Sequence, residues 1–164
     1  MAQRSVVQRL RQHHAIEHAT VTLLSQRLPG AQLVARSDLV GFIVFGELEI
    51  GVLRATAEQA LVRLQAGETN LAVHPNCGTN LVTAGILAGA AAVAAGSGRR
   101  HRSAWDRLPS AMLAAMLALL AAAPAGRWMQ EHVTTSGEVA GLRVVDVVRL
   151  DGRPLLHHRV LIGE

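Results

Sequence analysis

Charge disappears from the chain twice, from Leu81 to Gly96 and again from Leu108 to Gly126. Led in by the polar Thr79 and Asn80, each stretch approaches the roughly 17–25 residues that a helix needs to cross a bilayer. An Arg-rich turn separates them, the usual pattern of a membrane hairpin. Both stretches owe their apolarity largely to Ala and Gly, so a buried helical hairpin in a soluble oligomer stands as the alternative. In the first, Gly85, Gly89, Ala92 and Gly96 form a small-residue face that another helix, the second stretch foremost, can approach closely.

Elsewhere the periods are those of a small α+β domain. From Val6 to Leu28 the apolar residues Val7, Leu10, Val21, Leu24 and Leu28 fall on one helical face, and Pro29-Gly30 ends the helix. Gln32 to Ala35 and Gly41 to Phe45 are short β-prone runs, with Arg36-Ser37-Asp38 as the turn between them. A second helix over Ala55 to Ala66 is closed by Gly67, and a short strand, Asn70 to Val73, leads to His74. After the second apolar stretch, Leu142 to Leu150 and Leu155 to Ile162 flank Asp151-Gly152, a strong hairpin-turn signal.

The expected architecture is therefore α+β. Residues 1–80 form a metal-binding part, residues 81–126 a transmembrane helical hairpin with an Arg-rich loop at 97–107, and residues 127–164 a β-rich part completing the soluble domain. Two spans return the chain to the side on which it starts.

Composition sharpens the membrane reading. Half of the residues are hydrophobic, yet there is no Tyr and there are only two Phe and two Trp. Such apolarity suits helices packed in lipid better than an aromatic-rich soluble core. The formal charge is +4 and every basic residue is Arg, clustered only at Arg99, Arg100, Arg102 and Arg107. That cluster lies between the apolar stretches, where a membrane boundary explains it better than a nucleic-acid groove; without stacking aromatics, no nucleic-acid partner is expected. Neither stretch reads as a signal peptide, since the first begins only at Leu81 and the chain start has no apolar core of that kind. The expected location is the cell membrane, with two spans. Sidedness stays open, because the loop arginines favour a cytoplasmic loop whereas translocating the long N-terminal part without a signal argues the opposite. Membrane lipid, a substrate or protein partner of unassigned identity, and a second copy of the chain are the partners considered. The single cysteine, Cys77, leaves no internal disulfide.

Chemistry concentrates in two places. His14-Ala15-Ile16-Glu17-His18 is an H-x-x-E-H arrangement inside the first helix. Residues four apart stand one turn above each other, so both imidazoles can reach one ion, with Glu17 on nearly the same arc. All three share the arc of Val7, Leu10 and Val21. Burying two imidazoles and a carboxylate there without partners is costly, and a metal would satisfy them. The same order occurs in inverted zinc peptidases, where two His bind zinc and Glu activates water. Core histidines hydrogen-bonded to carbonyls are the competing explanation. The second motif, His74-Pro75-Asn76-Cys77-Gly78-Thr79-Asn80, is a Pro- and Gly-containing turn that can present His74 and Cys77 together, and imidazole and thiolate both suit zinc.

The expected cofactor is thus a divalent ion, zinc foremost, with His14, His18, His74 and Cys77 as ligands and Glu17 as the catalytic base. Glu68 is a weaker candidate ligand or orienting partner, against a solvated helix-end role. His132 is weaker still, His13 points off the apolar arc, and His157 and His158 face opposite ways in a strand. His101 belongs with the Arg-rich loop.

These residues also carry a resemblance that spans most of the chain. His14, Glu17 and His18, then His74, Pro75, Cys77, Gly78 and Thr79, then two membrane segments followed by Gln130 and Thr134-Thr135, resemble the YqhQ-like family of predicted metal-dependent membrane proteins. A closer similarity is to a related uncharacterised family that shares the fuller run from Ala66-Gly67-Glu68 to Asn80. The resemblance implies a metal site and a membrane setting, and supplies no substrate.

Two functions compete. In one, the protein is a metal-dependent hydrolase with Glu17 moving the proton and a lipid or membrane-associated peptide as substrate. In the other, a closed His₃Cys site is structural or metal-handling, and the protein serves as a membrane assembly or partner factor. Copper-type electron transfer would want a weak axial ligand such as Met, and no Met is near either motif.

Overall fold

A computed structural model describes residues 5–97, 103–150 and 156–164, with Ala104 as backbone only. The predicted turn at Asp151-Gly152 and His101, Arg99, Arg100 and Arg102 of the Arg-rich loop lie outside the described residues. The described chain is α+β, with four α-helices and one four-stranded antiparallel sheet. It divides into two compact units, residues 1–74 with 131–164, and residues 75–130.

The first unit begins with α1, Val6–Arg27. The Ser5 hydroxyl caps it by accepting the Gln8 amide proton at 3.1 Å, and Arg27 in the last turn complements the helix dipole. Its core face is Ala15, Ile16, Ala19, Leu23 and Leu24, all buried. The arc foreseen from Val7 and Leu10 is not the packed one: these residues are 66% and 42% exposed, because the first turns of α1 extend past the core. His14, Glu17 and His18 share that arc, but further along the helix, where they border the buried Ala15–Ile16–Ala19 stripe.

Two strands follow, β1 at Val34–Asp38 and β2 at Gly41–Phe45. The residues expected to form the turn, Arg36-Ser37-Asp38, are strand, and the reversal falls at Leu39-Val40. Asp38 explains the shift: its Oδ1 accepts the Val40 amide proton at 2.9 Å and its Oδ2 pairs with Arg159 at 2.9 Å. Those bonds outweigh the effect of burial and hold the Asp38 carboxyl below its usual pKa. Gly41 opens β2 at φ +148°, a conformation that disfavours a side chain, and a Cβ there would strike the Val160 carbonyl.

Helix α2, Ile50–Gln65, starts a turn earlier than the sequence suggests and buries Leu53, Ala57, Ala60, Leu61 and Leu64. Arg27 bonds Thr56 and Gln59 across the two helices. Gln65 donates to the Leu142 carbonyl at 2.9 Å, tying α2 to the approach to the last hairpin. The segment expected as a strand at Asn70 to Val73 is instead a single 3₁₀ turn, Thr69–Ala72, whose Leu71 and Ala72 are buried. One turn places both apolar side chains inward without a neighbouring strand, which an isolated run of four residues would need.

The last hairpin is β3, Arg143–Leu150, and β4, His157–Gly163. Sheet order is β1-β2-β4-β3, every pair antiparallel, with an irregularity between Val144 and Asp146. Phe42, Val44, Val147 and Val160 point to the helix-covered face and join the α1 and α2 residues in one core.

The second unit holds α3, Gly78–Ser97, and α4, Ala104–Met129, which continues into a π-turn, Gln130–Thr134. Ser103 and Asp106 form a reciprocal capping box at the start of α4. Both helices are long and apolar enough to cross a membrane, and only 0% and 6% of their most apolar windows are buried. A core helix of a soluble monomer would be mostly buried. Trp105 and Trp128, both exposed, stand about 35 Å apart along α4 by helical rise, bracketing a bilayer's hydrocarbon thickness at the depth where Trp concentrates. The close α3–α4 approach is made by Gly126, where a Cβ would stand 3.1 Å from Asn80 Cα. The small face of Gly85, Gly89 and Gly96 is not that seam: a Cβ at any of the three would meet nothing within 4 Å.

Candidate metal centre

Helix α1 sets the geometry. His14 and His18 stand one turn apart, with ring centroids 4.3 Å apart in an edge-on arrangement, and their ligating nitrogens lie within 4.8 Å of one another. Both belong to a group of side chains that can hold a metal ion. His74, delivered by the chain just after the 3₁₀ turn, brings its ring to 5.9 Å from that of His18. Three of the residues singled out in the sequence thus gather in one place, although His74 lies 56 and 60 residues beyond His18 and His14.

Two backbone carbonyls fix the rings. His18 Nδ1 lies 2.7 Å from the Ala72 carbonyl and His14 Nδ1 3.0 Å from the Thr134 carbonyl. A carbonyl only accepts, so each Nδ1 carries a proton, and in the neutral ring the lone pair is then on Nε2. That is the tautomer a metal-ligating imidazole adopts when an outer partner orients it. His18 is 4% exposed and Glu17 6%, while His14 is half-buried.

Arg11, which the sequence reading passed over, braces the segment that supplies the Thr134 carbonyl. Its guanidinium donates to the Thr135 carbonyl at 2.9 and 3.2 Å and to the His132 carbonyl at 3.0 Å, and its own carbonyl accepts the Ser136 amide proton. His132 thereby enters through its backbone. Arg11 sits three residues before His14, so the signal that could have found it was its helical neighbourhood.

Within the second unit, Cys77 is half-buried and its Sγ accepts the Thr79 amide proton at 3.4 Å. Asn80 donates to the Pro75 carbonyl and accepts from the buried Gln130, each at 2.7 Å. The Pro75–Asn80 turn is thus stapled to the end of α4. Glu68 chelates Arg63, whose guanidinium holds its carboxyl below the usual range.

His13, expected off the Val7–Leu10 arc, is buried on its own side of α1, where its Nδ1 lies 2.7 Å from the Asp38 carbonyl; burial outweighs that bond and lowers its pKa. His157 and His158 do face opposite ways. His157 stacks at 5.5 Å on Phe45, whereas His158 is 1% exposed, and neither of its ring nitrogens has a hydrogen-bond partner among the described residues.

Burial first, then Arg149 and His157, lowers the His158 pKa from 6.5. A folded-state pKa below the unfolded one means that the unfolded chain binds more protons as pH falls. The contribution to stability is therefore complete above pH 6.5 and is lost as pH drops through the folded value. Thermal unfolding compared at pH 8 and pH 5 should show a smaller acid-side loss for His158→Leu than for the wild type, and an identical loss would refute the assignment.

A family model described as a domain of unknown function, DUF6391, matches residues 9–147. An uncharacterized protein of Picosynechococcus sp. is 36% identical over 141 residues, covering 77% of this chain. The chain spans 66% of that relative's length. No solved structure matches.

Proposed function

The chain belongs to this uncharacterised DUF6391 family, and we propose that it is a two-span cell-membrane protein that holds a divalent ion, zinc foremost, and uses it for hydrolysis. The observation that carries the proposal is the pair of carbonyls that hold the Nδ1 of His14 and of His18, with the two rings 4.3 Å apart, so that both imidazoles are oriented from the backbone as metal-ligating rings are. His74 is the third ligand. Cys77 is the fourth candidate: three residues past His74, its Cα is tethered by the chain itself within about 10 Å of that of His74. Kinship with YqhQ-like membrane proteins belongs to the same proposal and rests on the two motifs.

A bound divalent ion supplies Lewis acidity, enough to bring the ionisation of water to about neutral pH. The protein's part is to hold His14 and His18 in one tautomer with His74 alongside, and to keep Glu17 beside them, one residue from His18, as the acceptor of the proton that water gives up. Membrane spans bring the substrate, a lipid or a membrane-associated peptide.

The near-complete burial of His18 and Glu17 favours a second reading, in which Cys77 closes the ion to water and the site is structural or metal-handling. Metal content of detergent-purified protein tests the first requirement. Near-stoichiometric metal should be present in wild type, lost in His14→Ala and His74→Ala, and retained in Glu17→Gln; folded wild type without metal after zinc or iron is supplied refutes both readings. Cobalt substitution then separates them, since a thiolate-to-cobalt absorption band that vanishes in Cys77→Ser marks the closed site.

A further inference from the structure

A groove of about 420 Å³ runs along the hairpin between the start of α3 and the last third of α4. Its two ends differ. Asn76, Cys77 and Asn80 line one, at the turn where the spanning segment begins, and Leu81, Ala84 and Leu119 line the other. By helical rise Leu81 and Ala84 lie roughly 5 and 9 Å into α3, so polarity falls off with depth along the span.

The shape is selective. Leu81 and Leu119 are exposed at the rim, while Ala84 and the buried Ala122 provide a small-residue floor. A volume of about 420 Å³ falls within the roughly 300–1,000 Å³ of small-molecule pockets. A helix about 10–12 Å across could only rest on such a rim, whereas a hydrocarbon chain can enter it. Two helices of spanning length with exposed apolar sides need a bilayer around them, and a bilayer presents such chains at this depth with their polar heads at the level of the Asn76–Asn80 turn.

We propose that this groove seats one acyl chain of a bilayer phospholipid, its polar head against Asn76, Cys77 and Asn80 and its chain over Ala84 between Leu81 and Leu119. Resting on the hydrolase reading, the inference names the substrate class: a two-part lipid with its head beside Cys77, three residues from His74. Occupancy of the groove does not itself require the metal.

The test uses the full chain in lipid nanodiscs containing a phospholipid with a photoactivatable diazirine on one acyl chain. Peptide mass spectrometry locates the label, and metal is measured on the same sample. Label should concentrate several-fold on Leu81, Ala84 and Leu119 over the exposed Val93 and Leu113, and fall to that background in Ala84→Trp with bound metal unchanged. Should Ala84→Trp not fold, Leu119→Ser, which removes a wall without adding bulk, should show the same fall. Label spread evenly along both helices, or unchanged by either variant, overturns the groove. Concentrated label on metal-free wild type keeps the groove and removes the hydrolase reading; metal without concentrated label does the reverse.

Discussion

His18→Ala protein, purified in detergent, should come away essentially without metal while wild type carries about one ion per chain. The expectation follows from position. His18 is the middle imidazole, with its ring 4.3 Å from His14 and 5.9 Å from His74. Even removal of an outer partner that merely orients a ligand costs roughly 10–100-fold in metal affinity, and here the ligand itself is lost. His157→Ala, which changes a histidine stacked on Phe45 on the sheet, should keep its metal. Inductively coupled plasma mass spectrometry on both variants, with circular dichroism to verify folding, decides the matter. Equal metal in the two would remove α1 from the site.

Phe42→Ala should destabilise the first unit by about 3–5 kcal/mol, a large share of the roughly 5–15 kcal/mol that holds a typical domain together. Phe42 is fully buried, pairs with Ser37 on one side and Val160 on the other, and belongs to the core that α1 and α2 share with the sheet. Its loss leaves a cavity where helices meet strands. Val34→Ala, on an edge strand and largely exposed, should stay within about 0.5 kcal/mol of wild type. Urea titration followed by circular dichroism measures both. Matching midpoints for the two variants would show that the sheet does not depend on this core.

Much of this was legible in the residues. The two uncharged runs could hardly be anything but long apolar helices, and the end of the first helix followed from Pro29-Gly30. The H-x-x-E-H spacing placed His14 and His18 on one helix side by arithmetic alone. What the residues did not disclose depends on distant neighbours. Val7 and Leu10 match the helical period but have no core beside them. Asn70 to Val73 reads as strand, whereas the chain there forms the 3₁₀ turn Thr69–Ala72. The carbonyls that set the two tautomers lie 54 and 120 residues from their histidines. Side-chain identity carries no trace of such backbone contacts, so Thr134 and Ala72 could not have been singled out for this role. Gln130 and Asn80 stood in the motif without a reason, and their hydrogen bond supplies one.

The bond from His14 to the Thr134 carbonyl also has a consequence in time. A ribosome makes α1 before either apolar helix, and the atom that orients its leading imidazole is made 120 residues later, after both. The His14 ring therefore cannot take its final orientation until Thr134 has been made. Both apolar helices must be synthesised before the His14 ring meets its carbonyl, so an ion bound as proposed would be loaded only after that point.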